Sequence, residues 1–403
     1  MSLVADIHPA LRTAPAPFRF AFRRMAETWG AGALNVTLPD GRRFRVAGEE
    51  PGPDAHLVVS DYRFIGRCLA GGDTGFAEGY MAGEWDTPDL AALLEVFSLN
   101  FERIQLVSEG GLIARLAGLV SHALRPNSKA GARKNIEAHY DLGNDFYAAW
   151  LDPSMTYSAA LFAEPAQSLE AAQTDKYAAL ARDIGLSPDQ SVLEIGCGWG
   201  GFAEYAAGTV GAKVTGLTIS PAQHAFASRR MFEQGLAERV DIRLCDYRDI
   251  QGRFDAAVSI EMFEAVGERY WPTYFGKLSE VLKPGGRAGL QIITIQDALY
   301  DAYRKRADFI QTYIFPGGTL PSERALDAAI GKSGLRRENI RRFGRDYART
   351  LGEWTARFDA AWPGLSRMGF DERFRRLWRF YLAYCEAGFR TGRTDVVQLQ
   401  LAR

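Results

Sequence analysis

Cysteine is scarce in this 403-residue chain. Cys68, Cys197, Cys245 and Cys385 stand far apart, and none belongs to a CxxC pair. That spacing excludes a disulfide framework and a cysteine-rich zinc site, and it suits a reducing compartment. Also missing is any apolar run long enough to cross a bilayer without charges, and the opening "MSLVADIHPALRTAPAPFRFAFRR" lacks the apolar core and cleavage site of a signal peptide. The expectation is a cytoplasmic protein that at most lies peripherally on the inner face of a membrane. Nor does one sign of charge prevail: 48 basic against 49 acidic side chains give no global pull toward nucleic acid, which is not an expected partner. A hydrophobic content of 47% rules out disorder. The length exceeds what one core usually organises, so two domains are expected.

What is present sorts along the chain. Over residues 1–105, alternating stretches such as "ALNVTLPDGRRFRV" and "AHLVVSDYRFI" mix with the helical "DLAALLEVFSLN"; the "PDGRR" turn reads as a hairpin, and the whole as a small α+β module. Residues 106–134 form a basic helix and linker. Between Gly110 and Ile136 stand Arg115, Arg125, Lys129, Arg133 and Lys134 without one acidic residue, and Leu112, Leu116 and Leu119 share a helical stripe. That stripe fits the body of the protein, a membrane surface or a second copy in a homodimer, and sequence does not choose. From Ser191 onward, β-rich runs ("SVLEIG", "KVTGLTI", "VDIRLCDY", "FDAAVSIEMF", "RAGLQIITI") alternate with helical segments. This predicts an α/β domain with a mainly parallel sheet, completed by strands in "ENIRRFGRDY" and "VVQLQLAR".

The first of those strands runs into "LEIGCGWGGF". Gly196, Gly198 and Gly201 satisfy GxGxxG, which lets backbone approach a ligand at the sheet's binding edge but does not name the ligand. A dinucleotide enzyme carries an acid at the end of the second strand to hold the ribose. Here that end reads "GLTIS", whereas Glu194 precedes the first glycine and Asp246 ends the third strand. A carboxylate beside the glycines repels pyrophosphate and favours a ligand with an amino or sulfonium charge. S-adenosylmethionine is such a ligand.

Around this core stand "NIEAHYDLGNDFYAAWLDPSMTYSAALF", "GLTISPAQHAFA", "SIEMFEAVG" and "YIFPGGTLPS". In that order they resemble the cyclopropane-fatty-acid-phospholipid synthase family, with its related mycolic-acid methyltransferases. The resemblance implies a Rossmann-like class I methyltransferase over residues 135–403, with a seven-stranded sheet, behind a lipid-associated module over 1–105. It implies methyl transfer from S-adenosylmethionine to the double bond of an unsaturated phospholipid acyl chain. The donor contacts it implies are Tyr157, Ser158, Glu194, Gly196, Gly198, Thr218, Ile219, Gln223, Asp246 and Tyr247.

Cyclopropane-forming members hold a bicarbonate that takes the proton whose loss closes the ring, and here its implied pocket is altered. The cysteine position is Ala159, the glutamate–histidine pair is Glu264–Ala265, and Gln291 stands for a histidine; Ile293 and Tyr347 match. Two readings stay open. In one, Gln291, Glu264 and Tyr347 still hold bicarbonate and a cyclopropane forms; in the other, the favoured one, the base is displaced and the product is a methyl-branched unsaturated chain of the furan-fatty-acid-precursor type. Glu264 is the residue expected to carry the chemistry, its replacement by Gln being expected to abolish turnover.

Overall fold

The computed structural model describes residues 9–108 and 142–403; the basic stretch from Arg115 to Lys134 and the leucine stripe within it lie outside the described residues. The chain forms two compact units.

In the first, β1 (Ala31–Thr37) and β2 (Arg43–Ala47) pair antiparallel as the hairpin that the "PDGRR" turn predicts. The Leu38 N–H donates to the Arg42 carbonyl at 2.8 Å, and Gly41 turns the chain at φ +83°, a conformation open to glycine. β3 (Glu50–Val59) runs parallel to β1, and β4 (Trp85–Asp86) adds an edge, giving the order β2-β1-β3-β4. Alternation puts Leu34, Val36, Leu57 and Val59 inside. The helix Leu90–Leu99 is capped by Asp89, whose carboxylate accepts the Ala92 N–H at 2.9 Å. This unit is not continuous in sequence, because Lys305–Thr312 and Trp362–Gly392 belong to it. The last long helix, Glu372–Arg390, packs in the first unit, where Trp378 and Phe380 are buried, although the sequence reading draws residues 135–403 as one domain.

The second unit is built on β5 (Ser191–Ile195), β6 (Lys213–Thr218), β7 (Val240–Leu244), β8 (Phe254–Ile260), β9 (Leu282–Ile295), β10 (Arg336–Arg342) and β11 (Thr394–Ala402). They form one sheet in the order β10-β11-β9-β8-β5-β6-β7. Strands β5 to β9 pair parallel, and β11 runs antiparallel to both of its neighbours. This is the mainly parallel α/β architecture read from the alternation, with both late strands where they were expected. Near-continuous apolar strands such as "FDAAVSI" follow from burial on both faces. On one face Phe275, Leu278 and Leu290 centre a core; on the other, Leu180, Phe202 and Val214 do. Because parallel strands need crossovers, every binding-edge loop of β5 to β8 opens on the same side.

Candidate active site

At the end of β5 the glycines do what their spacing suggests. Gly196, Gly198 and Gly200 take φ of +82°, +53° and +86°, and the N–H groups of Gly196 and Cys197 both donate to the Leu217 carbonyl, at 3.0 and 2.8 Å. The turn is thereby pinned to β6. A Cβ on Gly196 would stand 2.7 Å from Met262 Cγ, and one on Gly201 would stand 2.5 Å from the Tyr177 hydroxyl. The bend wraps a cavity as well as its own core.

The implied donor contacts all line that one cavity. Tyr157 and Ser158 come from the segment before the helix Leu169–Asp183; Glu194, Gly196 and Gly198 from the end of β5; Thr218, Ile219 and Gln223 from the end of β6; Asp246 and Tyr247 from the end of β7. The Thr218 hydroxyl donates to Gln223 Oε1 at 2.9 Å, and Ser220 caps the helix Pro221–Glu233. Glu194 is buried; it accepts the Ala203 N–H while Oε2 finds no protein donor among the described residues. Burial pushes its carboxyl up to about 8, against the pull of the Lys176 ammonium. An unsatisfied buried carboxylate oxygen beside a glycine cradle fits a cationic, hydrogen-bond-donating ligand, which S-adenosylmethionine is. Asp246 is different, because Arg248 already holds it through Nε at 2.8 Å and Nη2 at 2.6 Å. Arg248 went unread in "CDYRD".

A second group of polar side chains centres on Glu261, which sequence reasoning missed. Glu261 Oε1 accepts the Ala159 N–H and Gln291 Nε2, each at 2.8 Å, and Oε2 accepts the Tyr347 hydroxyl at 2.7 Å. Gln291 is oriented in turn by Gln398, whose Nε2 reaches Gln291 Oε1 at 3.1 Å. Lys176, also missed, is buried. Its ammonium donates to Ser158 Oγ at 2.6 Å and lies 4.6 Å from the centroid of the Tyr177 ring. Burial pushes it down to about 7, and the nearby carboxylates of Glu261, Asp152 and Glu194 resist that.

Comparison with known proteins agrees with this geometry. The model of the mycolic acid cyclopropane synthetase family matches residues 127–399. The chain belongs to that family. A tuberculostearic acid methyltransferase of Mycobacterium tuberculosis is 42% identical over 85% of this chain and 81% of its own length. A cyclopropane-fatty-acyl-phospholipid synthase of Escherichia coli K12 is 36% identical over 91% of this chain and 95% of its own. Among solved structures, a cyclopropane synthase from Mycobacterium tuberculosis superposes with a TM-score of 0.64 at 30% identity, covering 67% of this chain and 98% of that one. A mycolic acid cyclopropane synthase complexed with SAH and CTAB gives 0.63 at 29% identity over the same shares.

Measured against the bicarbonate pocket that the family resemblance implied, the polar residues have other work. Gln291 and Tyr347 spend their donors on Glu261. The carboxylate of Glu264 accepts the backbone N–H of Ile293 at 2.5 Å, so the two meet through main chain. Glu264 Oε2 has no protein donor among the described residues, and burial together with the Glu261 charge pushes the carboxyl up to about 8. Among the aromatic side chains, Tyr157 and Trp199 line the cavity, where ring faces can stabilise positive charge. Phe263 instead packs in the core against Trp271, Tyr274 and Phe275, and the Arg349 guanidinium covers Phe162 at 3.7 Å. Trp150 and Trp354 back Tyr157, with ring centroids 5.6 and 5.3 Å away.

Proposed function

We propose that this chain methylates a double-bond carbon of an unsaturated phospholipid acyl chain and releases a methyl-branched unsaturated product, of the kind that precedes methyl-branched and furan fatty acids. The coarser statement is that of its family: it is an S-adenosylmethionine-dependent methyltransferase acting on fatty acids or lipids. S-adenosylmethionine supplies an electrophilic methyl group and leaves as the homocysteine derivative, the SAH of the solved relative.

The residues present divide the labour. The glycine bend, Glu194 and the Thr218–Gln223 pair hold the donor, and Tyr157 and Trp199 offer ring faces to positive charge developing on the acyl chain. An alkene is a weak nucleophile, so alignment and exclusion of water carry much of the rate. Bicarbonate does not fit. Its implied donors Gln291 and Tyr347, joined by the Ala159 N–H, converge on the protein's own Glu261 carboxylate, and a second anion there would meet like charge in a buried site. That occupation carries the reading toward a branched product. Incubation with a cis-unsaturated phospholipid and methyl-labelled donor, followed by mass analysis of the fatty acid esters, tests it: a branched alkene is expected, and a cyclopropane defeats the reading.

Access follows from the substrate. No described helix is long and apolar enough to cross a membrane. The reading includes attraction of the basic residues Arg115, Arg125, Lys129, Arg133 and Lys134 to anionic headgroups. Each cation near an anionic surface contributes about 1 kcal/mol. Vesicle binding should rise with anionic lipid and fall with salt; binding indifferent to both overturns the docking proposal.

A further inference from the structure

We propose that Glu261 is the proton acceptor of this reaction, a base built into the chain. The inference rests on the methyl-transfer reading above and names the group that completes it.

Four observations converge on this residue. Glu261 lines the same cavity as Glu194, Tyr157 and Ser158. Three donors address its two oxygens: the Ala159 N–H and Gln291 on one, Tyr347 on the other. Such a set fixes the direction of the carboxylate and favours its ionised form. Its backbone sits at φ +48°, one of three non-glycine residues with positive φ among the described residues. A glutamate stays in that region only where its surroundings over-determine it, and here its own N–H is tied to the Gln291 carbonyl at 2.8 Å. The other carboxylates nearby are less suited: Asp246 is held by Arg248, and Glu264, which accepts the Ile293 N–H through one oxygen, is not among the residues that line the cavity. Glu194 stands at the glycine bend, where the donor's charge needs it.

Burial pushes the Glu261 carboxyl up from the ordinary carboxylate range, while Tyr347, the Lys176 ammonium, Ala159 and Gln291 pull it back. Raised basicity, held in check by donors that favour the anion, is what a proton acceptor requires. The electrons balance with no further reagent. The alkene π pair forms the new bond to the methyl carbon, and the carbon–sulfur pair stays on sulfur. The cation left on the neighbouring chain carbon is quenched when an adjacent C–H bond breaks: its pair becomes the new double bond and its proton goes to a Glu261 oxygen. One sulfonium and one carboxylate enter; one thioether and one carboxylic acid leave. Water later collects the proton.

The test compares wild type, Glu261→Gln and Glu261→Gly in buffer stripped of bicarbonate, on unsaturated phospholipid vesicles, with donor affinity read by calorimetry. Glycine accepts φ +48° without strain, so the second variant keeps the fold if the first does not. Wild type should turn over without bicarbonate. Glu261→Gln should lose about a hundredfold or more in turnover while donor affinity changes less than about threefold, the donor being held elsewhere. Glu261→Gly should be inactive alone and partly restored by added formate, whose carboxylate fits the vacated donors. A wild type that requires bicarbonate, or a Gln variant above a tenth of wild-type turnover, overturns the proposal. Product identity separates this from the reading beneath it. A bicarbonate-independent wild type that yields a ring leaves Glu261 as base and defeats the branched product; a branched product from a fully active Gln variant does the reverse.

Discussion

Replacing Tyr347 by Phe removes one of the three hydrogen bonds that keep the Glu261 carboxylate ionised, the 2.7 Å bond to Oε2. A hydrogen bond to a charged group is worth about 1.5–3 kcal/mol, and one pKa unit corresponds to about 1.4 kcal/mol. Losing the bond therefore raises the Glu261 carboxyl by about one to two units. The sign follows from which form the hydroxyl favours. It stabilises the anion, so without it the anion is reached only at higher pH. The neighbours are the same in both enzymes: the Lys176 ammonium, pushed down to about 7, lowers the carboxyl while it is protonated, and Glu264 and Glu194, themselves raised, carry little opposing charge near neutrality. The assay is single-turnover methyl transfer at saturating donor and lipid, followed from mildly acidic to mildly alkaline pH. The acid limb of the profile should move to higher pH, with the alkaline plateau little changed, so that the deficit is larger on the acid side and fades toward the alkaline side. An acid limb that stays in place, in a variant that binds donor normally, refutes the assignment of Tyr347 to the base. A uniform loss at every pH refutes it too, since that is the mark of a disturbed fold or substrate site.

Other outcomes follow from the same geometry. Glu194, pushed up to about 8 in the donor-free protein, is mostly protonated near neutrality; a cationic donor favours its anion, so binding should release up to one proton, seen as unequal calorimetric heats in buffers of different ionisation enthalpy, and equal heats count against the contact. Glu264→Gln should keep turnover within about tenfold of wild type at neutral pH, because a carboxyl raised to about 8 is already mostly neutral and the amide oxygen can still accept the Ile293 N–H. That reverses the loss expected from the sequence, and an inactive variant with intact fold restores Glu264 to the chemistry. Gly196→Ala forces a side chain into φ +82° and against Met262, at a cost of about 1–2 kcal/mol from the backbone alone. Donor affinity should fall at least tenfold, and unchanged affinity removes the bend from the donor site.

The donor cavity was legible because its residues sit in short motifs at strand ends, where topology makes sequence position equivalent to place. Once β5 is followed by glycines and flanked in space by β6 and β8, Glu194, Thr218 and Asp246 have nowhere else to be. The polar centre was less readable. "SIEMFEAVG" offers two carboxylates three residues apart, and the resemblance drew attention to Glu264. What selects Glu261 is a left-handed backbone and donors from residues 159, 291 and 347, none of which periodicity reveals. Lys176 hid for a related reason: in "LEAAQTDKYAALARD" a lysine reads as a solvated position, yet Ser158 and the surrounding carboxylates hold it inside. The reach of Trp362–Gly392 into the first unit is a long-range packing choice with no local signature.

That reach has a consequence for how the protein is made. The ribosome delivers residues in order, yet the unit that begins the chain lacks the helix Glu372–Arg390 until nearly everything else has emerged. The sheet of the second unit waits longer still, since β10 pairs only with β11 and has no strand partner until Thr394–Ala402 appears. The nascent chain therefore carries an incomplete core in the first unit until Glu372–Arg390 is made, and an exposed β10 edge until Thr394–Ala402 follows, which is when chaperones that shield such surfaces matter most.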